Sequence, residues 1–375
     1  YAMKYVDNEN PMASMRFSCT QVSPNSLVYG TEDDLRKGLY SIETYAKPER
    51  VFVESNCSVS LVGDDVQGIA DQMDLPWPVY AMDSGGMKGS FEAGYSAASL
   101  RIEKEMKTKE KIPASVNVLG LSTVHMKGRE DAEEIRRLLS LCGIRVISMP
   151  GGGSNWDDIM GAPSASLNIV VRDELGLSLA KQMERDFGTP YMSCGLPYGT
   201  DGTMAWLSEI IEKLGAGELT RASHEAAKLK EFLLRKGNNL ESLWGPLWFD
   251  AVLISAPPSE ALGIAEAIRS EWIDTARLCI HAQCETEKST PAADAIRVVM
   301  KNEKEIAKDY EDWQGGLVLS SSHETHLLRR MGRSFTGFHI ALPSHDEVHF
   351  SDLPQCGLRG AGYLYEQLWN AKLRK

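Results

Sequence analysis

Residues 116 to 149 read VNVLGLSTVHMKGREDAEEIRRLLSLCGIRVISM, and this stretch decides the fold. It opens on the apolar run Val116–Leu121, which has the length and β-branched content of a buried strand. Asp131–Leu141 follows with Ile135, Leu138 and Leu139 at helical spacing, and Gly143 stands where a helix stops. Arg145–Met149 is then a second strand. Strand, helix and strand in so short a span form a βαβ unit, whose strands are parallel and whose crossover is right-handed in all but rare cases.

The pattern continues on both sides. A second unit of the same kind begins with AVLISA at Ala251, continues through the helix-compatible Pro258–Arg269 and returns in a strand at Ala276–Ile280. Further strand-like runs stand at Val51–Glu54, Val79–Met82, Leu167–Val171, Val252–Ser255, Leu278–His281, Leu317–Ser320 and Gly337–Ala341. Strands alternating with helices predict an α/β protein with parallel sheets. Between the units, Gly215–Leu240 is rich in Ala, Glu, Lys and Leu and reads as a helix, with Gly237, Asn238 and Asn239 as turn residues leading to a further domain. A chain of 375 residues exceeds what one ordinary core serves. The expectation is three doubly wound Rossmann-like domains over residues 1–112, 113–243 and 244–355, with a C-terminal helix, 356–372, placed back on the first.

Composition excludes several classes. Apolar residues at 43% and charged residues at 25% give the balance of a soluble globular protein. No apolar run reaches the roughly 18 residues of a membrane span. A net charge of -12 argues against nucleic acid as the main partner, because phosphate binding rests on clustered Lys and Arg. The first residues carry no secretion signal, and Tyr1-Ala2 reads as a tag remnant ahead of a native Met3. Seven widely spaced cysteines do not form a disulfide framework and suit reduced thiols in a cytoplasm.

The sharpest chemical signal is VFVESNCSVSLVGDDV, Val51–Val66, where a strand ends in Cys57 and runs into a helix carrying Gly63, Asp64 and Asp65. Ligands of open parallel sheets bind outside the carboxyl ends of strands, and cysteine thiolates hold iron–sulfur clusters. A structural buried cysteine is the competing reading, and the commoner one on spacing alone. The loop Gly151-Gly152-Gly153 lacks the Gly-Lys-Ser/Thr ending of a phosphate-binding P-loop and reads as a backbone turn near a ligand crevice. Cys279, His281 and Cys284 lack metal-site spacing and read as structural. His323 and His326 follow a strand at its carboxyl end, three residues apart on one helical face, and are candidates to line a pocket.

Several stretches, taken in order, carry a family resemblance. They are SPNSLVYG (Ser23–Gly30), the helix Glu32–Ala46, the strand ending in Cys57 with Gly63-Asp64-Asp65, MPGGGSNWDDI (Met149–Ile159) with Ala162–Val171, and LPSHDEVHFSDLPQCGLRG (Leu342–Gly360). Spread over nearly the whole chain, they resemble the nitrogenase component 1 superfamily. The resemblance implies that Cys57 is an iron–sulfur cluster ligand. It places further cluster cysteines ahead of the tripeptide-like LVYG, where this chain has only Cys19, the second candidate ligand. A twofold dimer would bring Cys19 and Cys57 of both copies together as four thiolates for one [4Fe–4S] cluster. His349 stands in the neighbourhood where catalytic α subunits of the superfamily hold their large cofactor, although its distance to Gly357 resembles β-type subunits. No cysteine occurs in Glu218–Lys230, where Ser223 and His224 stand instead, so no FeMo-type cofactor is expected. Gly151, Gly152, His323 and His349 become the cofactor- or substrate-crevice candidates. The implied activity is that of a nitrogenase-like oxidoreductase subunit receiving electrons from an ATP-dependent iron protein, paired with itself or a paralogous subunit. Its implied substrate is a small molecule, with a tetrapyrrole as one candidate. The alternative is a non-catalytic scaffold that binds a cofactor or tetrapyrrole in the same fold.

Overall fold

The computed structural model describes residues 18–374 apart from 84, 299–303, 305, 306, 309, 312 and 314. By internal contact the described residues divide into two compact units, one up to residue 105 and one from residue 106 onward.

In the first unit, helices α1 (Ser26–Tyr29) and α2 (Glu32–Tyr45) precede strand β1 (Val51–Glu54). Helices α3 (Cys57–Val62) and α4 (Val66–Asp71), strand β2 (Val79–Met82) and helix α5 (Phe91–Glu103) follow. The two strands pair in parallel from Val51 opposite Val79 to Glu54 opposite Met82. Leu35 and Leu39 of α2 meet Ile69 and Ala70 of α4, with Met73, Trp77 and Val79, in a small core. Gly63, Asp64 and Asp65 were expected inside one helix, and the structure corrects this. Gly63 ends α3 in the left-handed region at φ 80°, and Asp65 caps α4 by accepting from the Gly68 amide at 2.9 Å. Asp64 accepts from the Thr31 amide and hydroxyl at 2.5 and 2.7 Å, which pins the start of α2.

The second unit contains two parallel sheets. Strands β3 (Ile112–Leu119), β4 (Arg145–Ser148), β5 (Ala165–Val170) and β6 (Tyr191–Ser193) lie in the order β4-β3-β5-β6. Helices α6 (Gly128–Leu141), α7 (Trp156–Gly161) and α8 (Asp173–Phe187) connect them. Helices α9 (Thr200–Leu214) and α10 (Thr220–Trp244) lead to β7 (Trp248–Ala256), α11 (Pro258–Ala267), β8 (Asp274–Ala282), β9 (Ala295–Val298), β10 (Leu317–Ser320), α12 (Ser322–Arg330), β11 (Thr336–His339) and α13 (Gly357–Leu373). The second sheet has the order β11-β10-β7-β8-β9, and every pairing in both sheets is parallel. The architecture is therefore α/β with parallel, Rossmann-like sheets. Strands β6 and β9 have no counterpart in the sequence reading, because they carry no buried apolar run: β6 buries only Met192 and β9 no residue.

One continuous core serves both sheets of this unit, running from Val116, Ile135 and Leu138 through Phe249 and Ile254 to Leu364 and Trp369. The C-terminal helix α13 packs on α6, α9, α10 and β11. The turn expected at Gly237-Asn238-Asn239 is absent, and α10 runs through it to Trp244. Gly237 is buried there, and a β-carbon at this position would collide with the Tyr365 hydroxyl of α13. The glycine lets two helices approach and does not break one.

Two buried polar contacts fix this unit. Arg172, just past β5 and fully buried, donates through Nε to Glu260 in the first turn of α11 at 2.9 Å and through a terminal nitrogen to the Gly120 carbonyl at 3.3 Å. Burial would raise the Glu260 carboxyl, but the charge of Arg172 and the neighbouring His125 outweigh it and hold it at about 2. Asp131 of α6 accepts from the amides of Gln355 and Cys356 at 2.7 and 3.0 Å, which anchors the entry to α13. Its carboxyl is pushed up to about 6, because complete burial outweighs Arg172 and the two amides.

The shifted Asp131 carboxyl makes stability depend on pH. The group holds its proton at about 6 when folded, against 3.8 ordinarily, so its stabilising contribution is full below pH 3.8 and is lost as pH rises through 6. At about 1.4 kcal/mol per pH unit the loss is about 3 kcal/mol. Asp131→Asn keeps an oxygen for the two amides and does not titrate. Urea unfolding at pH 4.5 and 7.5 should show wild type losing stability relative to this variant as pH rises; parallel behaviour would remove Asp131 as the titrating group.

Candidate functional site

Chemistry-bearing residues gather at two places, one in each unit. In the first unit, β1 delivers the chain to Asn56, whose side chain accepts from the Val59 amide at 2.9 Å and starts α3. Cys57 is the first residue of that helix, and its thiol is exposed. The loop after β2 runs beside it, and a β-carbon at Gly86 would stand 3.5 Å from the Cys57 sulfur. Glycine there leaves one side of the thiol uncovered. Cys19 is also exposed. Among the described residues, neither cysteine joins a group of three His, Cys, Asp or Glu ligand atoms.

The second place lies at the carboxyl end of β11. His339, the last residue of that strand, is 1% exposed. Its Nδ1 lies 2.8 Å from the Ser344 hydroxyl, and its Nε2 lies 3.3 Å from the Thr325 hydroxyl and 3.4 Å from Asp346 Oδ1. The loop after the strand turns back, so that Glu347 accepts from the His339 amide at 3.0 Å and stands 3.9 Å from both His339 Nδ1 and His349 Nε2. Ser344 also reaches His349 Nε2 at 3.4 Å. Asp346 accepts from Ser322 at 2.9 Å and Arg329 at 2.6 Å, both on α12. Burial would raise the Asp346 carboxyl, but these hydrogen bonds and His339 hold it at about 2. Burial lowers both the His339 and the His349 imidazole, against the pull of the nearby carboxylates, and raises Glu347. The arrangement therefore sets two imidazoles beside a carboxyl group.

The other sequence candidates lie outside the His339, Glu347 and His349 group. Gly152 closes its own turn by donating to the Met149 carbonyl at 2.8 Å, and the Gly151 carbonyl accepts from the Thr123 amide of the loop after β3 at 2.9 Å. His323 is exposed on α12, and the exposed His326 lies 3.5 Å from Asp346. Ser223 and His224 are exposed on α10. Cys279 accepts from Arg277 at 3.2 Å, and His281 Nδ1 lies 3.3 Å from the Tyr310 hydroxyl with the rings stacked. These two line a cavity of about 60 Å³ with Arg297 and Trp313. Of the histidine and carboxylate group, sequence reasoning named only His349. The dense polar string His345-Asp346-Glu347-Val348-His349 was the available signal, but its partner His339 comes from a strand end that no spacing rule connects to it.

The chain matches, over residues 1–373, the family described as Nitrogenase component 1 type Oxidoreductase. It belongs to that family. Among similar members, the nitrogenase iron-molybdenum cofactor biosynthesis protein NifE of Clostridium pasteurianum is 30% identical over 228 residues, 60% of this chain and 47% of that protein. A light-independent protochlorophyllide reductase subunit of Chloroherpeton thalassium is 23% identical over 373 residues, 94% of this chain and 69% of that protein. This nitrogenase component 1 type chain thus spans about half the length of the first relative. A solved structure described as nitrogenase Cp1 at pH 6.5 shares the fold, with a TM-score of 0.72 at 16% identity over 95% of this chain and 82% of that one. No described helix of this family member is long and apolar enough to cross a membrane.

Thiol exposure can be read directly. Cys142, Cys279, Cys284 and Cys356 are buried, and burial pushes the Cys194 thiol up to about 12. Brief iodoacetamide treatment of the reduced native protein should label Cys19 and Cys57 first, leaving these five for denaturing conditions, as scored by peptide mass spectrometry. Protection of Cys57 would contradict its exposed placement.

Proposed function

We propose that the chain is the cluster-binding subunit of a nitrogenase-like two-component reductase, with Cys57 as the protein's principal cluster ligand. The observation that carries this reading is the placement of Cys57: an exposed thiol at the carboxyl end of a parallel strand, on the first residue of a helix, beside a glycine turn that leaves room next to the sulfur. Family membership and the relatives named as a reductase subunit and a cofactor biosynthesis protein support it.

A [4Fe–4S] cluster needs four thiolates and, when bound, supplies one-electron redox chemistry. One chain offers two exposed cysteines, Cys57 and Cys19, so the full set requires a second copy or a paralogous subunit. The chain's own part is to hold Cys57 in place: Asn56 caps the helix that carries it, Ser60 donates to Asp83 across the adjoining loop, and Gly86 adds no side chain beside the sulfur. An iron-protein-like ATPase is the electron donor in this reading, and a small molecule or tetrapyrrole is the substrate. The lack of a third ligand around either cysteine among the described residues favours a second reading, a scaffold of the same fold that binds a cofactor or tetrapyrrole without turnover.

Iron and acid-labile sulfide content, with an EPR spectrum of dithionite-reduced protein reconstituted without oxygen, separates the two. The reductase reading expects about four irons per pair of chains, with cluster content lost in Cys57→Ala and reduced in Cys19→Ala. Cluster-free wild-type protein that stays folded would support the scaffold, and normal iron in Cys57→Ala would remove Cys57 as a ligand.

A further inference from the structure

The geometry points to a mononuclear metal site in the larger unit, in which His339 Nδ1, His349 Nε2 and a Glu347 carboxylate oxygen take one divalent transition-metal ion. These three ligand atoms already lie within 4.8 Å of one another. Around a tetrahedral ion with bonds near 2.0–2.1 Å, ligand atoms stand about 3.3 Å apart. The two separations of 3.9 Å would close by roughly half an ångström on binding, and the third, at most 4.8 Å, by up to about 1.5 Å.

What distinguishes this group from three polar residues on a loop is the shell that orients it. His339 is buried, and its Nε2 faces Asp346 and Thr325, so a proton on that nitrogen leaves the Nδ1 lone pair turned toward Glu347 and His349. A carboxylate behind a ligating histidine fixes both tautomer and ring orientation in metal sites. Asp346 is held in turn by Ser322 and Arg329. Glu347 is positioned by the backbone amide of His339, so the strand end and the carboxylate cannot drift apart independently. The lysine whose charge acts on His349, Lys127, donates to the Ser351 carbonyl and lies 3.8 Å from Glu130.

The donor set selects the ion. Two imidazoles and one carboxylate suit Zn²⁺, Ni²⁺, Co²⁺ or Fe²⁺, whereas Mg²⁺ and Ca²⁺ take oxygen ligands. Three protein ligands are the number found where a metal keeps a position open for water or substrate. The Ser344 hydroxyl lies between the two imidazoles, 2.8 Å from His339 Nδ1 and 3.4 Å from His349 Nε2, so an ion bound here displaces it or takes it as a further ligand.

The test is an anaerobic Co²⁺ titration of the chelator-stripped full chain. One ion per chain should bind, with visible d–d bands and without the near-ultraviolet charge-transfer bands that thiolate ligation at Cys57 would add. Zn²⁺ should displace it. His349→Gln and Glu347→Gln should each abolish this binding, Asp346→Asn should weaken it about 10- to 100-fold, and the exposed His323→Gln should leave it unchanged. Circular dichroism and thermal unfolding identify any variant that fails to fold. Glu347→Gln, at a partly exposed side chain, decides the matter if His349→Gln is unstable. Absence of saturable binding, thiolate bands alone, or wild-type affinity in Glu347→Gln would each overturn the assignment. Because the readout excludes Cys57, it stands or falls separately from the cluster reading.

Discussion

The larger unit depends on the ion pair between Arg172 and Glu260. Two sheets share one hydrophobic core, but hydrophobic contact is non-directional and does not set how one sheet's strand ends face the other's. Arg172 follows β5 and Glu260 opens α11 behind β7, so their hydrogen bonds tie the carboxyl end of one sheet to the carboxyl end of the other. Both groups are almost wholly removed from water, where an unpaired charge costs several kcal/mol. The pair need add little net stability to be decisive, because any arrangement that separates it leaves a buried charge alone. Its position also matters for ligands. Part of the space at the carboxyl ends of these strands is occupied by Arg172, Glu260 and His125, and the histidine and carboxylate constellation lies instead at β11, the edge strand of the second sheet.

The two candidate centres differ in chemical character. Cys57 offers a soft sulfur donor on a short helix in a unit with a small core. The β11 group offers imidazole nitrogen and carboxylate oxygen, braced by hydrogen bonds from α12 and from the backbone. Soft and intermediate donors select different metals. The division of donors therefore separates a sulfur donor in one unit from a nitrogen and oxygen set in the other.

Much of this was legible in the sequence, and the limits are instructive. Residues 116–149 announced parallel α/β architecture because period and length agree there, with Ile135, Leu138 and Leu139 all turned into the core. Cys57 was legible because a strand end and a helix start are both local signals. Gly237-Asn238-Asn239 has turn chemistry, yet the deciding neighbour is Tyr365, supplied by a helix that no local pattern connects to it. His339 was hidden for the same reason. Its role arises from a loop that folds back over the strand end, and the path of a loop has no periodicity to read.

The anchoring of Gln355 and Cys356 by Asp131 has a consequence for the order of assembly. The amides that satisfy this buried carboxylate are made more than two hundred positions after it. The helix that covers α6, α9 and α10 is likewise made after all three. During synthesis, the apolar faces of those helices wait in water for their cover, with the exposure to aggregation that long-range closure brings. The nascent chain is therefore most vulnerable just before α13 emerges, when both sheets can already form and their common core cannot yet close.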